Sequence, residues 1–149
     1  MFRGRYEHSL DAKGRLALPA AFRKALVEAE ETQLVVTRHM TKPCLVAYPF
    51  AAWTAFEERV AAMSDFDETV EALQQLYVAE AHECGIDKLG RVLLPSAHRE
   101  FAGLTKEITV VGQVKKLTIW STPSWHREQA EQKSKVGQDL LRKLSELGL

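Results

Sequence analysis

Residues Leu10 to Leu26 recur without a gap as Ile86 to Ala102, an offset of 76 positions, and this internal repeat constrains the fold more than any other feature of the chain. Seven of the 17 aligned pairs are identical, where composition alone gives roughly one. The shared residues include an Asp-x-x-Gly-Arg run and a Leu-Pro pair. With 149 residues there is room for one ordinary domain or for two small units that share a core. A duplicated unit therefore has to fold as two copies packed together. The echo continues with looser spacing, Gln33-Leu34-Val35-Val36-Thr37 against Ile108-Thr109-Val110-Val111, then Tyr48 to Trp53 against Trp120 to Trp125. Each copy reads as a strand entering the Asp-x-x-Gly-Arg run and a strand leaving it. A Pro-started helical turn follows, then two further strands and a helix begun near the second aromatic.

Between the copies, Phe50 to Met63 and Asp67 to Ala81 carry apolar residues at three- and four-residue spacing, the signature of amphipathic helices. The Ser64-Asp65-Phe66-Asp67 junction supplies side chains able to cap the second of them. From Ser124 to Leu149 the chain is polar and helical in pattern, interrupted at Gly137, with Leu140, Leu141, Leu144 and Leu147 forming a stripe. The expected class is α+β. The expected divisions are a first repeat over 1–53, a helical connection over 54–76, a second repeat over 77–125 and a helical tail over 126–149.

Composition excludes several classes. Hydrophobic residues at 46% and charged residues at 27% are those of a globular protein. No apolar run approaches the eighteen or so residues of a membrane span, and the first residues lack the apolar region of a signal peptide, so a cytoplasmic location is expected. Cys44 and Cys84 stand alone, which fits reduced structural thiols rather than a redox pair. His82-Glu83-Cys84 is at most half a metal site, since no second pair of ligands lies at a suitable spacing; no metal and no cofactor are expected. A hydrolase would need a site assembled from scattered histidines, such as His39, His98 and His126. The chain has no Gly-x-Ser-x-Gly, phosphate loop or His-Glu-x-x-His spacing.

The Asp-x-x-Gly-Arg run carries the chemistry. Gly14 and Gly90 sit where two alternating runs meet, which calls for the positive φ of a tight connection. Asp11 and Arg15, four apart across the bend, are close enough to pair, as are Asp87 and Arg91; taken alone these are turn-stiffening ion pairs worth under about 1 kcal/mol each. The net charge of zero argues against a nucleic-acid partner, but the halves differ. Met1 to Leu26 holds six cations (Arg3, Arg5, Lys13, Arg15, Arg23, Lys24) and two anions, a net of +4. Tyr77 to Ala102 holds three cations and four anions, a net of −1. By this count the first copy is the one built to approach phosphates.

The doubled Asp-x-x-x-Arg, at Asp11 to Arg15 and Asp87 to Arg91, with Leu18-Pro19 and Leu94-Pro95, resembles the MraZ family over nearly the whole chain. That resemblance implies a swapped-hairpin barrel akin to AbrB transition-state regulators, formed by the two repeats with flanking helices, and chains assembled as homo-oligomers into a closed ring. It implies a nucleoid-associated transcriptional regulator that binds short direct repeats of double-stranded DNA upstream of its own operon for cell division and cell-wall synthesis. The family's DNA-contacting arginine falls on Arg15, and its counterpart in the second copy is Arg91. In this reading Arg15 reaches base edges or phosphates with Lys13 beside it, Arg3, Arg5, Arg23 and Lys24 hold the DNA backbone, and Asp11 orients Arg15. The competing class is a protein-interaction module of the antitoxin type, since related barrels occur in toxin–antitoxin pairs.

Overall fold

Strands in this chain form where β-branched and aromatic residues crowd together, and the duplicated pattern yields four strands per copy. In the computed structural model, which describes residues 1–149, the first copy supplies β1 (Arg5–Ser9), β2 (Arg15–Ala17), helix α1 (Ala20–Glu28), β3 (Gln33–Arg38), β4 (Leu45–Pro49) and helix α2 (Phe50–Ala61). A short helix α3 (Glu68–Leu73), continued by a π-helical turn over Gln74–Val78, leads into the second copy. That copy supplies β5 (His82–Gly85), β6 (Arg91–Leu93), α4 (Ser96–Phe101), β7 (Glu107–Gln113), β8 (Lys116–Ser121) and α5 (Thr122–Glu146).

The strands pair across the copies. One antiparallel sheet runs in the order β1-β7-β8-β4-β3-β5, and β2 pairs with β6 in a separate two-stranded ribbon. The first strand of each copy has thus left its own unit: β1 lies on β7, with Arg5 opposite Val111, and β5 lies on β3, with Gln33 opposite Gly85. The two central strands β4 and β8 join the halves, Leu45 opposite Ile119. The sheet is mixed with five helices but it is open. β1 and β5 are its two ends; the three-residue strands β2 and β6 pair with each other and meet the residues just past those ends only through single bridges, Leu10 with Leu16 and Ile86 with Val92, so no continuous barrel closes.

A single core serves both copies. Leu16 and Leu18 from one and Val92 and Leu94 from the other enter the same cluster with Phe22, Leu26, Ile108 and Ile119, all but fully removed from water. Phe2 and Tyr6 stack edge-on against Phe22 at 5.5 and 5.1 Å, which anchors the start of the chain. A second aromatic group, Tyr48, Trp53, Phe56 and Tyr77, holds α2 and the π-helical turn against the sheet. The Tyr48 and Tyr77 hydroxyls lie 2.7 Å apart, and Thr37 donates to the Tyr77 carbonyl.

Element ends follow local chemistry. Both α1 and α4 begin directly after a proline, Pro19 and Pro95, whose φ of −52° and −57° suits a helix start. Asp67 caps α3 by accepting from the Thr69 and Val70 N–H groups. The helical pattern expected to run to Ala81 stops at Val78, because His82–Gly85 is claimed by the sheet. Helix α2 starts at Phe50, where the apolar spacing puts it, and α5 starts at Thr122, two residues before the expected Ser124; Ser121 caps α5 by accepting from the Ser124 N–H. The break expected at Gly137 falls one residue earlier, at Val136 (φ −125°, ψ 17°). No helix is long and apolar enough to cross a membrane.

Candidate functional site

Each Asp-x-x-Gly-Arg run folds into the same turn. In the first copy Asp11 Oδ1 accepts from the Lys13 and Arg15 N–H groups, both at 2.9 Å, while Oδ2 accepts from Arg15 Nε at 2.6 Å. The backbone closes the loop, Gly14 N–H to the Asp11 carbonyl at 3.0 Å and Asp11 N–H to the Arg15 carbonyl at 3.1 Å. In the second copy Asp87 repeats every contact, with Leu89 and Arg91 N–H on Oδ1 and Arg91 Nε on Oδ2 at 2.8 Å. Gly14 and Gly90 take φ of +85° and +75°, the left-handed backbone such a bend demands. The backbone N–H of Arg15, above all, holds the Asp11 carboxyl down to about 2, with the Arg15 side chain and Lys13 N–H adding to it. Asp87 is lowered for the same reasons. Both carboxylates are therefore charged at neutral pH and committed to the turn.

This arrangement aims the arginines. Arg15 spends only Nε on Asp11, so both Nη groups are left for a ligand. A guanidinium held by its inner nitrogen presents the two-pronged end that matches a guanine edge or a phosphate. In the β2–β6 ribbon Arg15 stands opposite Leu93, and Ala17 opposite Arg91. Residues paired across strands or two apart along one share a face, so Arg15 and Arg91 lie diagonally on the same side. Leu16 and Val92, on the other side, are 0% and 1% exposed, while Leu93 is 56% exposed. The side bearing the two arginines is thus the outer one.

The cations expected around Arg15 are distributed differently from their order in the chain. Lys13 stays in the first turn. Arg23, on α1, reaches the second turn and donates to the Lys88 and Leu89 carbonyls at 3.0 and 3.4 Å. Its counterpart Arg99, on α4, lies across Gly14 and donates through Nε to the Leu94 carbonyl at 3.1 Å. Sequence reasoning gave Arg99 no role; its alignment with Arg23 in the repeat was the signal that could have found it. Lys24 is exposed on α1 and makes only a loose pair with Glu28 at 4.0 Å. Arg3 and Arg5 flank the far end of β1, where Arg5 bonds Gln129 of α5 at 3.2 Å, about 20 Å along the strand from Asp11 at the usual rise. The Arg3-Gly4-Arg5 arm is therefore not beside Arg15.

No group of three or more His, Cys, Asp or Glu side chains is placed to hold a metal ion. Burial pushes the Cys44 thiol up to about 12 and the Cys84 thiol up to about 11.

Comparison with known proteins gives one consistent answer. The MraZ protein family model, whose description adds the term antitoxin-like, matches the chain twice, over residues 1–76 and 77–143. A protein named transcriptional regulator MraZ from Marinomonas sp. (strain MWYL1) is 40% identical over 144 residues, covering 97% of this chain and 93% of that protein. Proteins of the same name from Serratia proteamaculans (strain 568) and Pasteurella multocida (strain Pm70) are each 39% identical. They align over 86% and 92% of this chain and 84% and 90% of their own lengths.

Proposed function

The chain belongs to the MraZ family, and from that premise we propose that it is a sequence-specific DNA-binding regulator of transcription, a repressor acting at short direct repeats in the promoter of its own cell-division and cell-wall operon. One observation carries this reading: on the outer side of the β2–β6 ribbon, Arg15 is held through Nε by Asp11 with both Nη groups unspent. A positioned guanidinium end on an exposed two-stranded ribbon is suited to a groove, because a ribbon of that width enters the major groove of B-DNA. The strand exchange between copies supports the swapped-hairpin relationship, and the protein acts in the cytoplasm at the nucleoid.

A single chain offers few phosphate contacts, so useful affinity comes from several chains acting together. Exposed apolar side chains in the connection between the copies and in the tail, Phe66, Leu76, Leu141 and Leu147 among them, are the surfaces proposed to build a closed homo-oligomeric ring. The antitoxin-like term in the family description keeps a protein partner as the second reading, and a toxin gene beside this one would favour it. The test of the first reading is a gel shift with the DNA immediately upstream of the gene, run across a salt series. Specific retention that weakens steeply with salt is expected; no retention of that DNA at low salt would overturn it.

A further inference from the structure

Each turn contains a glycine with an arginine side chain laid directly against it. A Cβ built on Gly14 would lie 2.4 Å from Arg99 Cζ, and one on Gly90 would lie 2.7 Å from Arg23 Cδ and Nε. Both glycines are buried, covered by a guanidinium from the helix that follows the other copy's Leu-Pro pair. Neither Arg23 nor Arg99 pairs with any carboxylate, and Arg99 uses only Nε within the chain. The first turn therefore gathers Lys13, Arg15 and Arg99 against Asp11, and the second gathers Lys88, Arg91 and Arg23 against Asp87. The cations are shared between the turns more evenly than their order in the chain has them, because each turn holds an arginine from the other copy. Arg23 and Arg99, which have no acidic partner and keep donors to spare beside the paired Arg15 and Arg91, suit a polyanion.

Resting on the DNA-binding reading above, we propose that each Gly-Arg turn is completed in trans, Arg99 serving the first and Arg23 the second, so that every chain grips the duplex backbone at two equivalent sites. The ribbon sets their spacing. Leu18 N–H bonds the Gly90 carbonyl and Leu94 N–H bonds the Gly14 carbonyl, which puts the turns four residues apart along one strand, about 13 Å. The B-DNA major groove is about 12 Å wide. Two cationic turns at that separation meet the two phosphate backbones bordering one groove, while Arg15 and Arg91, diagonal neighbours about 7–8 Å apart, face its floor.

The experiment measures affinity for the upstream DNA across a salt series for the full chain carrying Arg99→Gln, Arg23→Gln or Arg91→Ala, with Arg15→Ala alongside. The glutamine variants should each weaken binding about ten-fold and flatten the plot of log affinity against log salt by about one or more, the signature of lost phosphate contacts. Arg99→Lys, which keeps the charge, should restore most of the slope, a rescue that a purely structural brace would not give; it also serves if Arg99→Gln melts early. Unchanged affinity and slope in Arg99→Gln, Arg23→Gln and Arg91→Ala, with Arg15→Ala still defective, would overturn the two-site arrangement and leave the regulator reading standing. Failure of the unmodified chain to bind the DNA at all would overturn both.

Discussion

Arg15 meets Asp11 twice, through its backbone N–H at 2.9 Å and through Nε at 2.6 Å, so one carboxylate sets both the path of the chain and the aim of the side chain. The two bonds separate on mutation. Arg15→Ala removes the aimed group but keeps the backbone bond, and should abolish specific DNA binding. The loss in stability should be within about 1 kcal/mol, the scale of a partly exposed ion pair. Calorimetry and a gel shift on the same sample check it; normal operator binding would sink the assignment.

The same carboxylate gives a pH dependence of known sign. Its pKa falls from 3.8 in the unfolded chain to about 2 in the turn, and Asp87 shifts in the same direction. A lowered native pKa means that the stabilisation is fully present above the unfolded value and is lost as pH falls toward the folded one. The turns should stay closed down to about pH 4 and loosen below it. Carboxyl chemical shifts followed by NMR should show Asp11 titrating near 2; a midpoint at 3.8 or above would contradict the hydrogen-bonded turn.

Gly14→Ala should cost stability for two separable reasons. The residue sits at φ +85°, a strain of about 1–2 kcal/mol for an L side chain, and its new methyl would strike Arg99. Combining it with Arg99→Ala should recover the collision but not the strain. A double variant no more stable than the sum of the two single changes would show that Arg99 yields freely.

Cys44 and Cys84 should be silent in the folded protein. Both are buried, with thiols raised to about 12 and about 11, and the thiolate is the reactive form. Iodoacetamide at pH 8 should leave the native chain unlabelled and modify two sites in urea, counted by mass spectrometry. Rapid native labelling would mean that the sheet around them opens readily.

The proposed ring and the proposed operator are linked. Neighbours in a head-to-tail ring present their reading faces in the same sense, whereas a two-fold dimer presents them in opposite senses. Direct repeats spaced about 10 base pairs apart are therefore expected, with affinity rising steeply from one repeat to two. Footprinting together with light scattering tests this, and a simple dimer on an inverted repeat would refute it.

What was legible in the sequence is what depends on near neighbours. Asp11 and Arg15, Gly14, the prolines that open α1 and α4, and the Asp67 cap all act within a few residues, and each is found where local chemistry put it. Partner choice between strands is another matter. β1 could satisfy its backbone on any open edge, and nothing in Arg5 to Ser9 names β7, about a hundred positions away, as the one it takes. How far the sheet closes has the same origin, since it depends on how two three-residue strands divide their hydrogen bonds between each other and the sheet's two ends. Charge counted by stretches of sequence does not say where each cation stands, for a related reason: Arg23 follows the first turn in the chain but sits on the second in space.

The traded strands have a consequence for how such a chain came to be and how it can change. Two separate molecules that swap an identical element form a dimer whose survival depends on concentration. Here the swap is internal, and the helices between the copies tether the partners at an effective concentration on the order of millimolar. The chain is a dimer written in one polypeptide, immune to dilution at that interface. Freed from being identical, its halves have diverged where the shared core does not restrain them: the helix closing the first copy stops after 12 residues, while the one closing the second runs for 25.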